Sequence, residues 1–252
     1  MRLLSALLGL VCIVFYSCKD ESITTIVTPQ DPVLEIVFKA RYNDQPLVFA
    51  ADRNYPYFDG SKINFTKSEL FVYNFELING LNSAWSNNTL YFINFQNQQI
   101  NLEKAEEGYK IKLKVNATGD FSGLRFRIGL PPEMNAKNPS DFNAGHLLAD
   151  GEHSWAGWNS YIFSKTEGYI NNDQKSSLFA YHSGFNDSYR IITINRPLKL
   201  ENDRTYRYIV ELDHKSMFGN DASYVNVYED NIFHDAGGFM KEFMDHYEAS
   251  FR

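Results

Sequence analysis

Alternation of apolar and polar residues runs through most of the chain from residue 33 onwards. In VLEIVFKARY, which starts at Val33, every second side chain is apolar. The segments YKIKLKV, from Tyr109, and LRFRIGL, from Leu124, alternate still more regularly. A period of two residues places one face of a strand against the core and the other face in water, as in antiparallel sheets.

Further segments have the composition of strands and are separated by turn residues. They are SELFVYNFELI, TLYFINF, WNSYIFSKTEG, LFAYHSG, YRIITI and RTYRYIVEL. About eight to ten strands at even spacing predict an all-β fold, a single antiparallel β-sandwich. We expect residues 103–108 to form a charged turn. Residues 131–152 are rich in Pro, Asn and Gly, and a loop of this length is usually functional or mobile.

Only the end of the chain has a helical pattern. Apolar side chains recur at helical spacing at Phe239, Met240, Phe243, Met244 and Tyr247, with charged residues on the opposite side. We predict a short amphipathic helix that packs on the sandwich. A helix that binds a partner protein is the alternative.

The first residues are typical of an export signal. A basic residue, Arg2, precedes the apolar run LLSALLGLVCIVF, which is too short to span a bilayer unaided. The ending FYSC resembles a bacterial lipoprotein signal peptide, which implies cleavage before Cys18 and lipidation of its thiol. We therefore divide the chain into a signal peptide (1–17), a lipidated tether (18–32) and one domain (33–252). A signal peptide cut elsewhere is the alternative.

The residues that follow Cys18 indicate a location. Lys19-Asp20-Glu21 resembles the export signal of surface lipoproteins of Bacteroidetes. We expect a lipid anchor in the outer membrane, with the domain on its periplasmic or its surface-exposed face. A merely solvated start of the linker is the alternative.

Composition excludes several classes of function. The net charge of −7 argues against binding nucleic acid, whose phosphates need basic partners. The chain has two Cys residues, and one is removed with the signal peptide while the other carries lipid. The mature domain then has neither a disulfide nor a thiolate ligand, so a metal site must use His, carboxylate, Met or a modified side chain.

The His residues that accompany aromatic residues are the clearest candidates for binding. His153 and Trp155 are two positions apart, so in an extended segment they face the same side. His182 lies in another predicted strand, and if the two segments pair or cap the same end, the imidazoles converge. Neutral imidazole suits copper, zinc and nickel. A hydrogen-bonded His at a sheet edge is the alternative interpretation.

The remaining His residues have weaker patterns. His146, in a loop, could add a ligand, whereas we expect His214 to contact solvent and His234 and His246 to lie on the surface. We expect Trp85 to lie in a polar loop, NSAWSNNT, where it either stacks on sugar rings or acts as a partly buried anchor. No nucleophile-elbow motif and no paired acid and base residues stand out, so we predict a binding protein and not an enzyme.

The central motifs together resemble a known family. In order they are Ile128-Gly129-Leu130-Pro131 with Asn135, the Trp-rich segment 155–168, and Tyr181-His182-Ser183-Gly184. This order and spacing resembles the MbnP-like family, named for the methanobactin-associated periplasmic copper-binding protein. The resemblance covers roughly residues 33–218.

The resemblance implies a β-sandwich exported to the cell envelope. It also implies copper binding in some members, through His and a Trp oxidised to kynurenine, with a di-haem protein of the cytochrome c peroxidase type as oxidant. His182 matches the family's His, and Trp155 or Trp158 matches its Trp-rich segment. An indole N–H offers a metal no lone pair, whereas kynurenine carries an aromatic amine that can ligate.

The sequence therefore predicts an envelope lipoprotein that binds or handles copper through His153 and His182, with Trp155 as a ligand if it is modified. Expected partners are the outer membrane and a di-haem cytochrome c peroxidase-like protein or a TonB-dependent receptor. The alternative is a metal-free surface lipoprotein that binds a glycan or a partner protein within an outer-membrane uptake complex. The export-like signal and Trp85 motivate that alternative.

Overall fold

The computed structural model describes residues 29–234 and 237–252. The predicted signal peptide and Cys18 lie outside these residues. The first strand begins at Val33. Within the described residues, no helix has both the length and the apolar character that crossing a bilayer requires.

Strands dominate the described chain. In chain order they are β1 (Val33–Tyr42), β2 (Gln45–Pro46), β3 (Tyr55–Pro56), β4 (Lys62–Asn79), β5 (Asn82–Asn94), β6 (Tyr109–Lys114), β7 (Gly119–Phe121), β8 (Gly123–Ile128), β9 (Ser154–Trp155), β10 (Ser160–Asn171), β11 (Ser176–Gly184), β12 (Arg190–Ile194), β13 (Leu198–Leu200), β14 (Thr205–Asp213), β15 (Gly219–Asn220), β16 (Ser223–Tyr224) and β17 (Ile232–Phe233).

Helices are few and mostly short. They are α1 (Phe95–Gln98), α2 (Leu102–Glu107), α3 (Pro132–Asn135) and α4 (Gly238–Ala249), with 3₁₀ turns at Pro139–Asp141, Asn186–Ser188 and Ser216–Phe218. The prediction of an all-β sandwich with a C-terminal helix is confirmed. The predicted turn at 103–108 is wrong, because Asn101 caps the N-terminus of α2 and its side chain accepts a hydrogen bond from the Lys104 amide.

The larger of the two main sheets is built around β4. Its strand order is β12-β8-β4-β10-β11-β17, while β3 and β5 also pair with β4 and β9 pairs with β10. Asn74, with φ of 50°, lies at an irregularity in the pairing of β4 with β5 and β8. A bulge of this kind changes the direction of a long strand, so β4 can pair with several neighbours.

The smaller main sheet contains β6, β1, β14 and β2. Its inner face packs on the larger sheet, with the Phe38 ring 5.5 Å from the Phe126 ring and 6.1 Å from the Phe75 ring. β1 and β14 run parallel from Val33–Thr205 to Arg41–Asp213, so this pair departs from the antiparallel prediction. The alternation pattern marks both strands but carries no information about which distant strand will pair with them.

The C-terminal helix closes one end of the core. Its buried side chains are those that recur at helical spacing, namely Met240, Phe243, Met244 and Tyr247. The Phe243 ring lies 4.9 Å from that of Tyr181 in β11. The helix therefore packs on its own sandwich, as predicted.

A second hydrophobic cluster lies on the other face of the large sheet. It contains Phe71, Leu130, Tyr161 and Phe163, while the neighbours of Phe71 in β4 belong to the main core. Leu148, from the segment 131–152, is also buried there. This long segment is thus anchored over the outer face of the sheet.

Two predictions about single side chains need correction. Trp85 lies in β5 and not in a loop, its ring packs against the main core, and its Nε1 donates to Asn116 Oδ1 at 2.9 Å. It is therefore the partly buried anchor. His214 is completely buried, whereas we expected it to contact solvent.

Burial keeps His214 neutral. Its ring lies 5.2 Å from the Phe65 ring, its Nε2 accepts from the Ser68 hydroxyl at 2.8 Å, and its Nδ1 donates to the Leu212 carbonyl. Desolvation lowers the pKa of His214 to about 4. Below the ordinary pKa of histidine, the unfolded chain binds a proton at His214 that the folded chain does not. The stability of the fold therefore decreases as the pH falls.

We expect His214 to lower the free energy of unfolding by about 3 kcal/mol as the pH falls from 6.5 to about 4. The variant His214→Gln should be less stable at neutral pH and should lose this part of the acid dependence. Urea unfolding at a series of pH values measures both effects. His246→Gln, which leaves the His214 pocket intact, should keep the wild-type dependence, and an equally steep dependence in His214→Gln would contradict the assignment.

Candidate functional site

The first family motif fixes the start of β10. Asn135 Oδ1 accepts hydrogen bonds from the Tyr161 amide at 2.9 Å and from Ser160 Oγ at 3.1 Å. Its Nδ2 donates to Asn186 Oδ1 at 3.1 Å. This one amide therefore joins the segment after β8 to the beginning of β10 and to the turn after β11.

A motif glycine permits the close pairing of β10. A Cβ atom at Gly168 would lie 2.0 Å from the Asn64 carbonyl oxygen and 2.8 Å from the Phe179 ring. Only a residue without a side chain fits this position, where two strands approach closely. Glycine thus allows β10 to pair with both β4 and β11.

The register of these strands arranges charged residues on the outer face. Lys165 is the Cα partner of Glu69 in β4 and of His182 in β11, and Glu167 is the partner of Lys67. The Lys165 ammonium lies 3.1 Å from Glu69, and that of Lys67 lies 3.4 Å from Glu167. His182 consequently lies at the end of a row of paired charges.

His182 makes a charge-assisted contact with Glu167. Its Nε2 lies 2.8 Å from Glu167 Oε1, within hydrogen-bonding distance, and this bond is the largest cause of the lowered pKa of Glu167. If Nε2 carries the donated proton, the lone pair of the neutral ring lies on Nδ1. Nδ1 is buried and has no hydrogen-bond partner among the described residues.

Parallel pairing of β17 with β11 brings a second imidazole to His182. Tyr181 is the Cα partner of Phe233, so the residues that follow them lie side by side. The rings of His182 and His234 are 4.4 Å apart and nearly parallel, with 9° between their planes. We expected His234 on the surface, but it is half-buried in this contact.

Aromatic side chains extend this pair of imidazoles. Trp155 lies 5.3 Å from His234 and 6.4 Å from His182, measured between ring centroids. Trp155 stacks on Trp158 at 4.6 Å with an interplanar angle of 11°, and Trp158 contacts Phe185 at 4.9 Å. We call His182, His234, Trp155, Trp158 and Glu167 the His182 cluster.

His153 lies in a different pocket. Its ring is 4.5 Å from Phe92 and 5.0 Å from Phe71, and among the described residues no ring contact joins it to His182. Strand β10, which carries Lys165, lies between β4, whose Phe71 contacts His153, and β11, which carries His182. Burial, and then the nearby Lys165 ammonium, lower the pKa of His153.

The structure therefore groups two of the three predicted ligands. Trp155 and His182 come together, whereas His153 and His182 do not. His234 was missed because it follows β17, a strand of only two residues. The strand that pairs with β17, β11, is far away in the sequence. The available signal was an aromatic residue followed by His, in Phe233-His234 as in Tyr181-His182.

The other His residues lie outside this cluster. His146 stacks on Phe142 at 4.5 Å, and its Nδ1 accepts from the Leu148 amide at 3.2 Å. His246 is half-buried on α4. In the described part of the chain, no three or more His, Cys, Asp or Glu side chains are arranged as a ready metal-binding group.

Comparisons with known proteins match the chain to a family model and to a solved structure. Residues 31–235 match the family model described as MbnP. A solved structure, MbnP from Methylosinus trichosporium, is similar at 13% sequence identity and a TM-score of 0.46, and the alignment covers 85% of this chain and 84% of that chain. No curated protein matches the chain.

The stack of Trp155 and Trp158 depends on Gly184. A Cβ atom there would lie 2.7 Å from Cζ3 of Trp158 and 2.8 Å from the Tyr161 carbonyl oxygen. We expect Gly184→Ala to displace Trp158 and weaken the exciton-coupled circular dichroism that stacked indoles produce. Trp158→Phe should remove the same signal without the backbone clash.

Gly238→Ala is the matched control, because a Cβ atom at Gly238 meets no atom within 4 Å. It should leave the circular dichroism unchanged. An unchanged exciton signal in both Gly184→Ala and Trp158→Phe would show that the stack is not formed in solution.

Proposed function

The chain belongs to the MbnP family, and from this premise we propose that it binds or handles copper in the cell envelope through the His182 cluster. We propose a binding role and not a catalytic one. The observation that carries the proposal is the buried Nδ1 of His182, which has no hydrogen-bond partner among the described residues.

The environment of His182 fits that of a metal ligand. Metal-binding His residues usually donate their other ring N–H to a carboxylate, which fixes the tautomer and raises the basicity of the ligating nitrogen. Glu167 is in position to provide that carboxylate, 2.8 Å from Nε2. Leaving a buried acceptor unpaired is costly, and a metal at Nδ1 would offset that cost.

His234 and Trp155 are the groups that would complete the site. Imidazole is a suitable ligand for copper, and residues 29–252 contain no Cys to compete for it. The His182 and His234 rings are stacked, so binding one ion through both requires at least one ring to turn. Trp155 can ligate only after its indole is converted to kynurenine.

Conversion of Trp155 to kynurenine needs an external four-electron oxidant, which breaks the C2–C3 bond of the indole and leaves an oxygen atom on each of the two carbons. Hydrolysis of the resulting formamide then releases C2 as formate, so that one carbon is exchanged for one oxygen overall. We propose that a di-haem cytochrome c peroxidase-like partner, acting with hydrogen peroxide, supplies the oxidising equivalents. Trp155 and Trp158 are half-buried, so both indoles are partly accessible from outside. A TonB-dependent receptor is the proposed partner for copper transfer.

Copper binding should depend on His182 and not on His153. We expect His182→Ala to abolish the saturable Cu(I) site and His234→Ala to weaken it. Glu167→Gln should weaken binding by about 10-fold to 100-fold, because it removes the carboxylate that orients the ligand. Competition with a Cu(I)-selective chelator measures each affinity on the purified protein.

His153→Ala is the matched control, since it removes an imidazole from the same face of the sheet, and it should keep wild-type affinity. The proposal fails if the wild type has no saturable site at micromolar copper, or if His153→Ala loses the site while His182→Ala keeps it.

Mass analysis of protein from its native membrane should find the exchange of one carbon for one oxygen in the peptide that carries Trp155 and Trp158. An unmodified peptide with bound copper would leave a site made by imidazoles alone.

The proposed location rests on Cys18. If its thiol carries the lipid anchor, Cys18→Ser should move the protein from the membrane pellet to the soluble fraction after cell breakage. Cys12→Ser, within the predicted signal peptide, should leave the protein in the pellet. Retention of Cys18→Ser in the membrane fraction would contradict a lipid anchor at this position.

A further inference from the structure

A cavity lies on the outer face of the large sheet, apart from the His182 cluster. It has a volume of about 500 Å³ and is lined by Phe71 and Phe92 from the sheet and by residues of the segment 144–153. Ligand-binding cavities commonly have volumes of this order and combine aromatic walls with a few polar groups. The cavity therefore has the size and construction of a small-molecule site.

His153 is the buried polar group of this cavity. Its side chain is 8% exposed, its ring is held between Phe71 and Phe92, and it borders the open space. Neither ring nitrogen makes a hydrogen bond to any residue in the described part of the chain. The ring nitrogens are not among the fully buried atoms that lack a partner, so they are reached from the open space, where a bound molecule with an N–H group can donate to one of them.

The charges around the cavity select the sign of the ligand. Asp150 and Glu152 line it, and its lining residues include no Lys or Arg. Asp150 Oδ1 also accepts from the Glu152 amide at 2.9 Å, which orders this short segment. Lys165 is the cation that lowers the pKa of His153, and its ammonium is paired with Glu69 at 3.1 Å. The cavity is thus negatively charged beside an aromatic wall.

A second imidazole is held in a fixed orientation at the cavity. His146 Nδ1 accepts from the Leu148 amide at 3.2 Å, so in the neutral ring the proton lies on Nε2. Its ring stacks on Phe142. The two His residues and the two carboxylates are not arranged as a metal-binding group, and the described residues contain no such group of three or more.

We propose that this cavity binds a small organic ammonium ion with an apolar body, such as an arylalkyl amine. The ammonium N–H groups would donate to His153 and to the carboxylates of Asp150 and Glu152. The apolar body would pack on Phe92, which is partly exposed above the fully buried ring of Phe71, and an aromatic ring face also attracts cations. Each contact uses a group that the cavity already presents.

The first experiment compares three probes of nearly equal shape by isothermal titration calorimetry of the full-length protein. They are phenethylamine, 2-phenylethanol and 3-phenylpropanoate. We expect phenethylamine to bind, the alcohol to bind at least about ten-fold more weakly, and the carboxylate not to bind. No heat with the amine, or equal affinity for amine and alcohol, would overturn the proposal.

The second experiment locates the site with charge-matched variants. Asp150→Asn combined with Glu152→Gln should weaken amine binding about ten-fold or more. Asp221→Asn combined with Glu229→Gln makes the same change of charge at exposed positions outside the cavity and should have no effect. Equal losses in both double variants would reduce the effect to overall charge and overturn the site.

A third comparison separates this site from the copper proposal. His153→Gln should weaken the amine and leave copper affinity unchanged, whereas His182→Ala should do the reverse. Loss of amine binding in His182→Ala, with His153→Gln unaffected, would assign the amine to the other cluster. A chain that binds the amine but no copper would support this inference while the copper proposal fails.

Discussion

Strand β10 is hydrogen-bonded on both sides, to β4 and to β11, and its register fixes the composition of the outer face. Because side chains alternate along a strand, a shift of one residue would bury Lys165 and Glu167 and expose inward-facing residues such as Thr166 and Ile170. Gly168 permits this register, since any Cβ there would collide with the Asn64 carbonyl. The family motif around this glycine therefore has a steric reason.

The outer face carries two separate collections of polar side chains. One is the His182 cluster, in which Glu167 orients one imidazole and Trp155 lies close by. The other is the cavity of His153, whose ring is held by two Phe side chains. The ion pair of Lys165 with Glu69 lies between them. This arrangement allows the two sites to bind different ligands, since neither imidazole is shared.

The hydrogen bonding of the ring nitrogens distinguishes the roles of the His residues. His214 is enclosed in the core with both ring nitrogens hydrogen-bonded, so it is a structural residue. His182 has one nitrogen bonded and one without a partner, and His153 lines an open space. A buried nitrogen without a partner is the feature that points to a ligand.

The sequence by itself determined the sandwich, the C-terminal helix and the importance of the stretch that contains Trp155 and His182. These features depend on local periodicity and on motifs, which side-chain alternation and helical spacing make visible. Only the tertiary structure decided which imidazoles meet. The parallel pairing of β17 with β11 brings His234 beside His182, and β10 keeps His153 apart. Such contacts depend on strand partners and register across long separations, and alternation within a single strand does not encode them.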